Sequence, residues 1–68
     1  MDDLETAIRA GAVAALRRRA ARQAKLAAEG TTVGDRGALI RTGEAAISLR
    51  ISATLGDLAA ELEAEAPQ

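Results

Sequence analysis

The side chains with the most chemistry to offer lie in one run: Arg17, Arg18, Arg19, Arg22 and Lys25. If this run is helical, Arg18, Arg22 and Lys25 fall within about 60° of arc with Arg19 beside them, enough to contact three or four phosphates. Nucleic acid is therefore one partner expected of this basic patch. The chain holds no Phe, Tyr or Trp on which bases could stack, which disfavours single-stranded targets. The same charges also suit an acidic protein surface, or the chain's own Asp57, Glu61, Glu63 and Glu65. A net charge of −1 argues against a protein that coats nucleic acid wholesale.

Catalysis finds little to work with. His, Cys and Tyr are all absent, and with them the commonest general bases and the thiol nucleophile. Asp35, Glu29 and Glu44 show no metal-ligand spacing, and a hard cation would need several such oxygens. Residues 30–37, GTTVGDRG, form a glycine-rich segment but lack the Lys-Ser/Thr pair of a phosphate-binding loop, so a plain turn is expected. The sequence thus predicts a protein that is not an enzyme and carries no cofactor and no metal.

The elements that must position these residues are few. A chain of 68 residues sits near the size at which one core can hold a fold, and the usual supports are disulfides, metals or oligomerisation. Without Cys or His, oligomerisation or a protein partner remains. Apolar residues make up 49% of the chain, much of it Ala, so a core has only a handful of Leu, Ile and Val to draw on. Marginal stability is expected for the isolated chain.

Residues 2–29 predict one long helix of strong helix formers, with Asp2, Asp3 and Glu5 at its positive end and Gly30 as its stop. Leu4, Ile8 and Leu26 mark its apolar side, interrupted by Arg19 and Arg22. Residues 38–42, ALIRT, suit a short strand, with TGEA as a turn into AISLRIS. The stretch ISLRISATLGDLAAEL, from Ile47 to Leu62, fits two patterns. As a strand, Ile47, Leu49, Ile51, Ala53 and Leu55 alternate with polar residues; as a helix, Ile47, Ile51, Leu55, Leu58 and Leu62 share about 80° of arc. The β-branched and Ser content, and the place of Leu49 outside the helical stripe, favour the strand. Charge favours it too, because a two-helix hairpin would set the acidic tail beside Asp2, Asp3 and Glu5. Thr54 then caps a short last helix, with Asp57 completing the box.

On the strand reading, ISLRISATLGDLAAEL is similar to the start of ribbon-helix-helix regulators, in which an alternating strand enters the DNA major groove and leads into a helix. The resemblance implies base-reading roles for Ser48, Arg50 and Ser52 and a dimeric DNA-binding or antitoxin-like module. It covers about 20 residues, and the long upstream helix is foreign to that family.

The fold expected is α+β in a single unit over residues 1–68. It comprises a long N-terminal helix (about 2–29), a central strand or β-hairpin (about 38–55) and a short C-terminal helix (about 55–65), with an all-α helical hairpin as the alternative. The function expected first is a structural subunit that packs into a larger symmetric complex, in its most concrete form a small tailed-bacteriophage virion protein such as a minor capsid, decoration or connector component. Its interface residues would be Leu4, Ile8, Leu26, Ile47, Leu49, Ile51, Leu58 and Leu62, and its partners protein, most simply copies of itself. The acidic N-terminus MDDLE is unlike a signal peptide, and the longest apolar run, AGAVAAL, is too short to cross a bilayer. Synthesis in the cytoplasm, with no membrane partner and a virion as final location, is the matching expectation.

Overall fold

Ala, Leu, Arg, Gln and Glu are the residues that lose least on entering a helix, and they dominate both ends of the chain. The computed structural model describes residues 3–65. Helix α1 spans Asp3–Glu29 and helix α2 spans Gly43–Ala64; between them Thr31–Val33 (β1) and Leu39–Arg41 (β2) form a two-stranded antiparallel hairpin. Asp2, expected in the first turn of α1, lies outside the described residues. The architecture is α+β in the broad sense, an antiparallel helix pair with a small β-tip, and its second helix is not short.

The junctions explain the path. Gly30 ends α1, and Thr31 donates its hydroxyl to the Ala27 carbonyl at 2.7 Å, satisfying one of the acceptors that a helix end leaves open. The ladder pairs Thr31 with Arg41, Thr32 with Ile40 and Val33 with Leu39. Gly34 donates to the Ala38 carbonyl at 2.7 Å and Gly37 to the Gly34 carbonyl at 3.2 Å, so Asp35–Gly37 make the tip turn. Arg36 and Gly37 both take positive φ there, 66° and 77°. Thr42 then caps α2: its backbone is extended and its hydroxyl accepts from the Ala45 amide at 3.1 Å.

Three sequence expectations change. The strand at residues 38–42 is present as Leu39–Arg41, but its partner is Thr31–Val33, upstream, in a segment expected to be a turn. Residues 47–55 are helix, not strand, and α2 starts at Gly43 rather than near Thr54. Thr54 is mid-helix and donates to the Arg50 carbonyl at 3.0 Å, which is how a Thr inside a helix satisfies its hydroxyl. The cap belongs to Thr42, twelve residues earlier.

The helices meet along small residues. The buried set is Val13, Ala27, Ala45 and Ala59. Adding the half-buried neighbours gives Arg9, Val13, Leu16, Ala20, Gln23 and Ala27 on α1, and Ala45, Ser48, Ser52, Leu55, Ala59 and Leu62 on α2, with Ala15 and Gly56 half-buried just beside these rows. Both rows alternate steps of four and three, the spacing that keeps one seam facing a neighbouring helix. Ser52 donates to the Ala20 backbone carbonyl at 2.8 Å, a cross-helix bond that needs backbones brought close by small side chains. At the tip end the approach is closer still, because a Cβ on Gly30 would sit 2.7 Å from the Ala45 Cβ.

The resulting shape is a rod. Its Cα extents are 56 × 16 × 15 Å and its radius of gyration is 16.0 Å, against about 11 Å for a compact domain of this length.

Candidate interaction surface

A helix turns about 100° per residue, so the residue just before each seam position points to one flank and the residue just after it to the other. On α1 the preceding residues are Ile8, Ala12, Ala15, Arg19, Arg22 and Leu26, followed by Glu29 before Gly30; on α2 they are Glu44, Ile47, Ile51, Thr54, Leu58 and Glu61. Because the helices are antiparallel, both sets turn to the same side of the hairpin. A shallow depression of about 540 Å³ bordered by Arg19, Arg22, Leu26 and Ile51 shows the two rows meeting there.

This side carries the large apolar side chains. Ile8 is 65% exposed, Ile47 60% and Ile51 42%, and Leu26 and Leu58 are also exposed. Leu4, one turn beyond Ile8, extends the row towards the open end of the hairpin. Six of the eight interface residues expected from sequence thus lie on one face. The other two do not: Leu62 is half-buried in the seam, and Leu49, just after Ser48, is exposed on the opposite flank.

The opposite flank is built differently. Ala10, Ala14, Ala21, Ala24 and Ala28 line it on α1, and Ala46, Leu49, Ala53, Gly56 and Ala60 on α2. Arg17 pairs there with Glu63, and this is the ion pair found among the described residues. Arg9 adds a 2.9 Å hydrogen bond from its guanidinium to the Glu65 carbonyl. Glu5, Arg9, Arg17 and Glu63 border a second open depression of about 590 Å³.

The basic run is therefore divided by the fold. Arg17 is engaged with Glu63, Arg18 borders the depression on that same flank, Arg19 and Arg22 stand on the apolar face, and Lys25 lies on the back of α1. The expectation that a two-helix hairpin would oppose acid with acid is also corrected. Gly30 faces Thr42 and Ala20 faces Ser52, so the end of α2 comes level with Arg9 rather than with Asp3.

Ser48, Arg50 and Ser52 cannot act as the alternate residues of a strand. They lie on α2, and the Ser52 hydroxyl is spent on the Ala20 carbonyl. That removes the geometry behind the ribbon-helix-helix resemblance. Among the described residues, no group of three or more acidic side chains is placed to hold a metal ion, and no helix is long and apolar enough to cross a membrane.

The seam itself escaped the sequence reading. Its signal was present as the alternating three- and four-residue spacing of Ala45, Ser48, Ser52, Leu55, Ala59 and Leu62, but Ser and Ala do not look like core residues. No family model, curated protein or solved structure matches the chain.

Proposed function

We propose that the chain is a non-enzymatic structural subunit that completes its apolar burial by packing into a larger symmetric assembly. The observation that carries this reading is how little the fold buries: its core is Val13 and three alanines, while Ile8, Leu26, Ile47, Ile51 and Leu58 are left on one exposed face. Contiguous apolar faces of this kind mark interaction sites in soluble proteins. The rod shape agrees, since a rod presents more interface per residue than a sphere.

Within this class, the most concrete form is a small virion component of a tailed bacteriophage: a minor capsid, decoration or connector protein. Small size, a chemistry-poor composition and an unpartnered face support it.

The reading is tested by sedimentation of the purified chain from nanomolar to millimolar concentration, with helicity followed in parallel. Concentration-dependent assembly with rising helicity is expected. A folded monomer at all concentrations would overturn it, and so would a folded dimer whose duplex-DNA affinity falls steeply with salt, which is the behaviour of a regulator. The virion form is tested by mass spectrometry of purified particles from the source, in which the chain is expected at a fixed copy number. Its recovery from the free cytoplasmic fraction alone would contradict that form.

A further inference from the structure

Charge on the apolar face is not spread evenly. Arg19 and Arg22 lie in its tip half, with Glu29 and Glu44 beyond them at the tip end, and Glu61, followed one turn later by Glu65, lies in its open-end half. Neither arginine has an ion-pair partner among the described residues, where Arg17 and Glu63 form the pair on the other flank.

The spacing gives this polarity a meaning. Taking the Ala20–Ser52 hydrogen bond as a common level, and a rise of about 1.5 Å per residue, Arg19 and Arg22 lie about 8 and 12 Å to the tip side of Leu58. On the same scale Glu61 and Glu65 lie about 5 and 11 Å to the other side of Leu58, Ile51 about 11 Å to the tip side, and Ile8 about 9 Å to the open-end side. Arg19 and Arg22 are thus placed nearly symmetrically with Glu61 and Glu65, and Ile51 with Ile8, about the level of Leu58 and Ala15, while Glu29 and Glu44 lie more than about 20 Å to the tip side, beyond the symmetric stretch.

We infer that this face pairs with the same face of a second copy, antiparallel, about a two-fold axis passing near Leu58 and Ala15. In that arrangement Arg19 and Arg22 of one copy come level with Glu61 and Glu65 of the other, Ile51 comes level with Ile8, and Leu58 lies near its own mate. A parallel pairing would set Arg against Arg and Glu against Glu. The face runs about 33 Å from Leu4 to Leu26 at about 1.5 Å per residue along a molecule 16 Å across, a smaller contact than the roughly 800 Å² that each partner contributes to a standard interface. A two-fold contact is isologous and closes on itself, which is the commonest way a small chain assembles. The inference rests on the assembly reading above and specifies its first contact.

The test uses the full chain in three forms: wild type, Arg19→Glu with Arg22→Glu, and Glu61→Arg with Glu65→Arg. Like charges brought together cost enough to raise the dissociation constant of each variant alone by about 100-fold. An equimolar mixture of the two variants places Glu against Arg at both contacts, so association is expected to return. Helicity by circular dichroism separates loss of pairing from loss of fold. A second readout does not depend on charge: because the chain has no Cys, Ala15→Cys is expected to cross-link to itself on mild oxidation, whereas Ala28→Cys, on the other flank, is not. Association that ignores the charge reversals, or cross-linking through Ala28→Cys in preference to Ala15→Cys, overturns the antiparallel pairing and leaves the assembly reading standing. A chain that is monomeric and unfolded alone also overturns only the pairing, and a folded monomer overturns both.

Discussion

The most buried positions of the seam and the face beside it differ in residue size. The seam buries Ala27, Ala45 and Ala59 and ties Ser52 to a backbone carbonyl; the neighbouring face shows water Ile47, Ile51 and Leu58. On α2 the two rows are offset by a single residue. In a self-sufficient domain the larger side chains would be inside, since each fully buried Leu or Ile contributes roughly 1.5–3 kcal/mol. Here the small residues set how closely the helices approach, Leu16, Leu55 and Leu62 fill the seam only half-buried, and the isoleucines and Leu58 are held for contact with something else. Folding and assembly are thus assigned to adjacent stripes of one helix.

Substitutions that blur this division should have graded effects. The largest is expected from enlarging the seam: Ala59 is fully buried, so Ala59→Leu should separate the helices and destabilise the fold by about 3 kcal/mol, read from urea unfolding at a dilution where the chain is dissociated. Gly30→Ala attacks the closest approach, where a new Cβ would meet both the Ala45 Cβ at 2.7 Å and the Thr42 hydroxyl at 2.9 Å. A loss of about 2 kcal/mol is expected there, and a neutral result would mean that the junction between α1 and α2 is looser than described.

Polar support at the seam and cap comes next. Ser52→Ala and Thr42→Ala should each cost about 1 kcal/mol, the first through the cross-helix bond to Ala20 and the second through the cap on Ala45. Ile51→Ser supplies the contrast. The dissociated chain should unfold within about 0.5 kcal/mol of the wild type, because the side chain is 42% exposed, while self-association measured by sedimentation should weaken. If Ile51→Ser instead destabilised the dissociated chain as much as Ala59→Leu, the two stripes would have exchanged roles.

The smallest effect concerns the tip. Arg36 is the non-glycine residue at positive φ among the described residues, so Arg36→Gly should relieve left-handed strain and raise stability by about 0.5 kcal/mol. It should leave association unchanged, since the tip turn lies beyond the apolar face.

How much of this was legible in the sequence follows from the same division. Helix α1 and its end at Gly30 could be read from propensity, because nothing in that segment competes with helix. The face could be read as well, since Leu4, Ile8, Leu26, Ile47, Ile51 and Leu58 are the residues that any hydrophobicity argument selects. What misled was Ile47–Leu55, where alternation and helical spacing fit equally well and the β-branched and Ser content tipped the reading to strand. Those disfavoured residues have specific duties in the helix: Ser52 bonds across the seam, Thr54 bonds back to Arg50, and Ile47 and Ile51 face outward where branching crowds nothing. The hairpin was missed on one side because Thr31–Val33 lies among glycines that read as turn. Its pairing with Leu39–Arg41 is set by the tip turn rather than by any apolar alternation.

The division between seam and face is tested most directly by solvent accessibility at single methyl groups. A soluble paramagnetic chelate added to the isotope-labelled chain, at a dilution where it is dissociated, broadens methyl resonances according to their exposure. The methyls of Ala27, Ala45 and Ala59 should stay sharp while those of Ile47, Ile51 and Leu58 broaden strongly. Sharp Ile47 and Ile51 methyls beside broadened Ala45 and Ala59 methyls would mean that the helices meet through their large residues, contradicting both the seam and the assembly face derived from it.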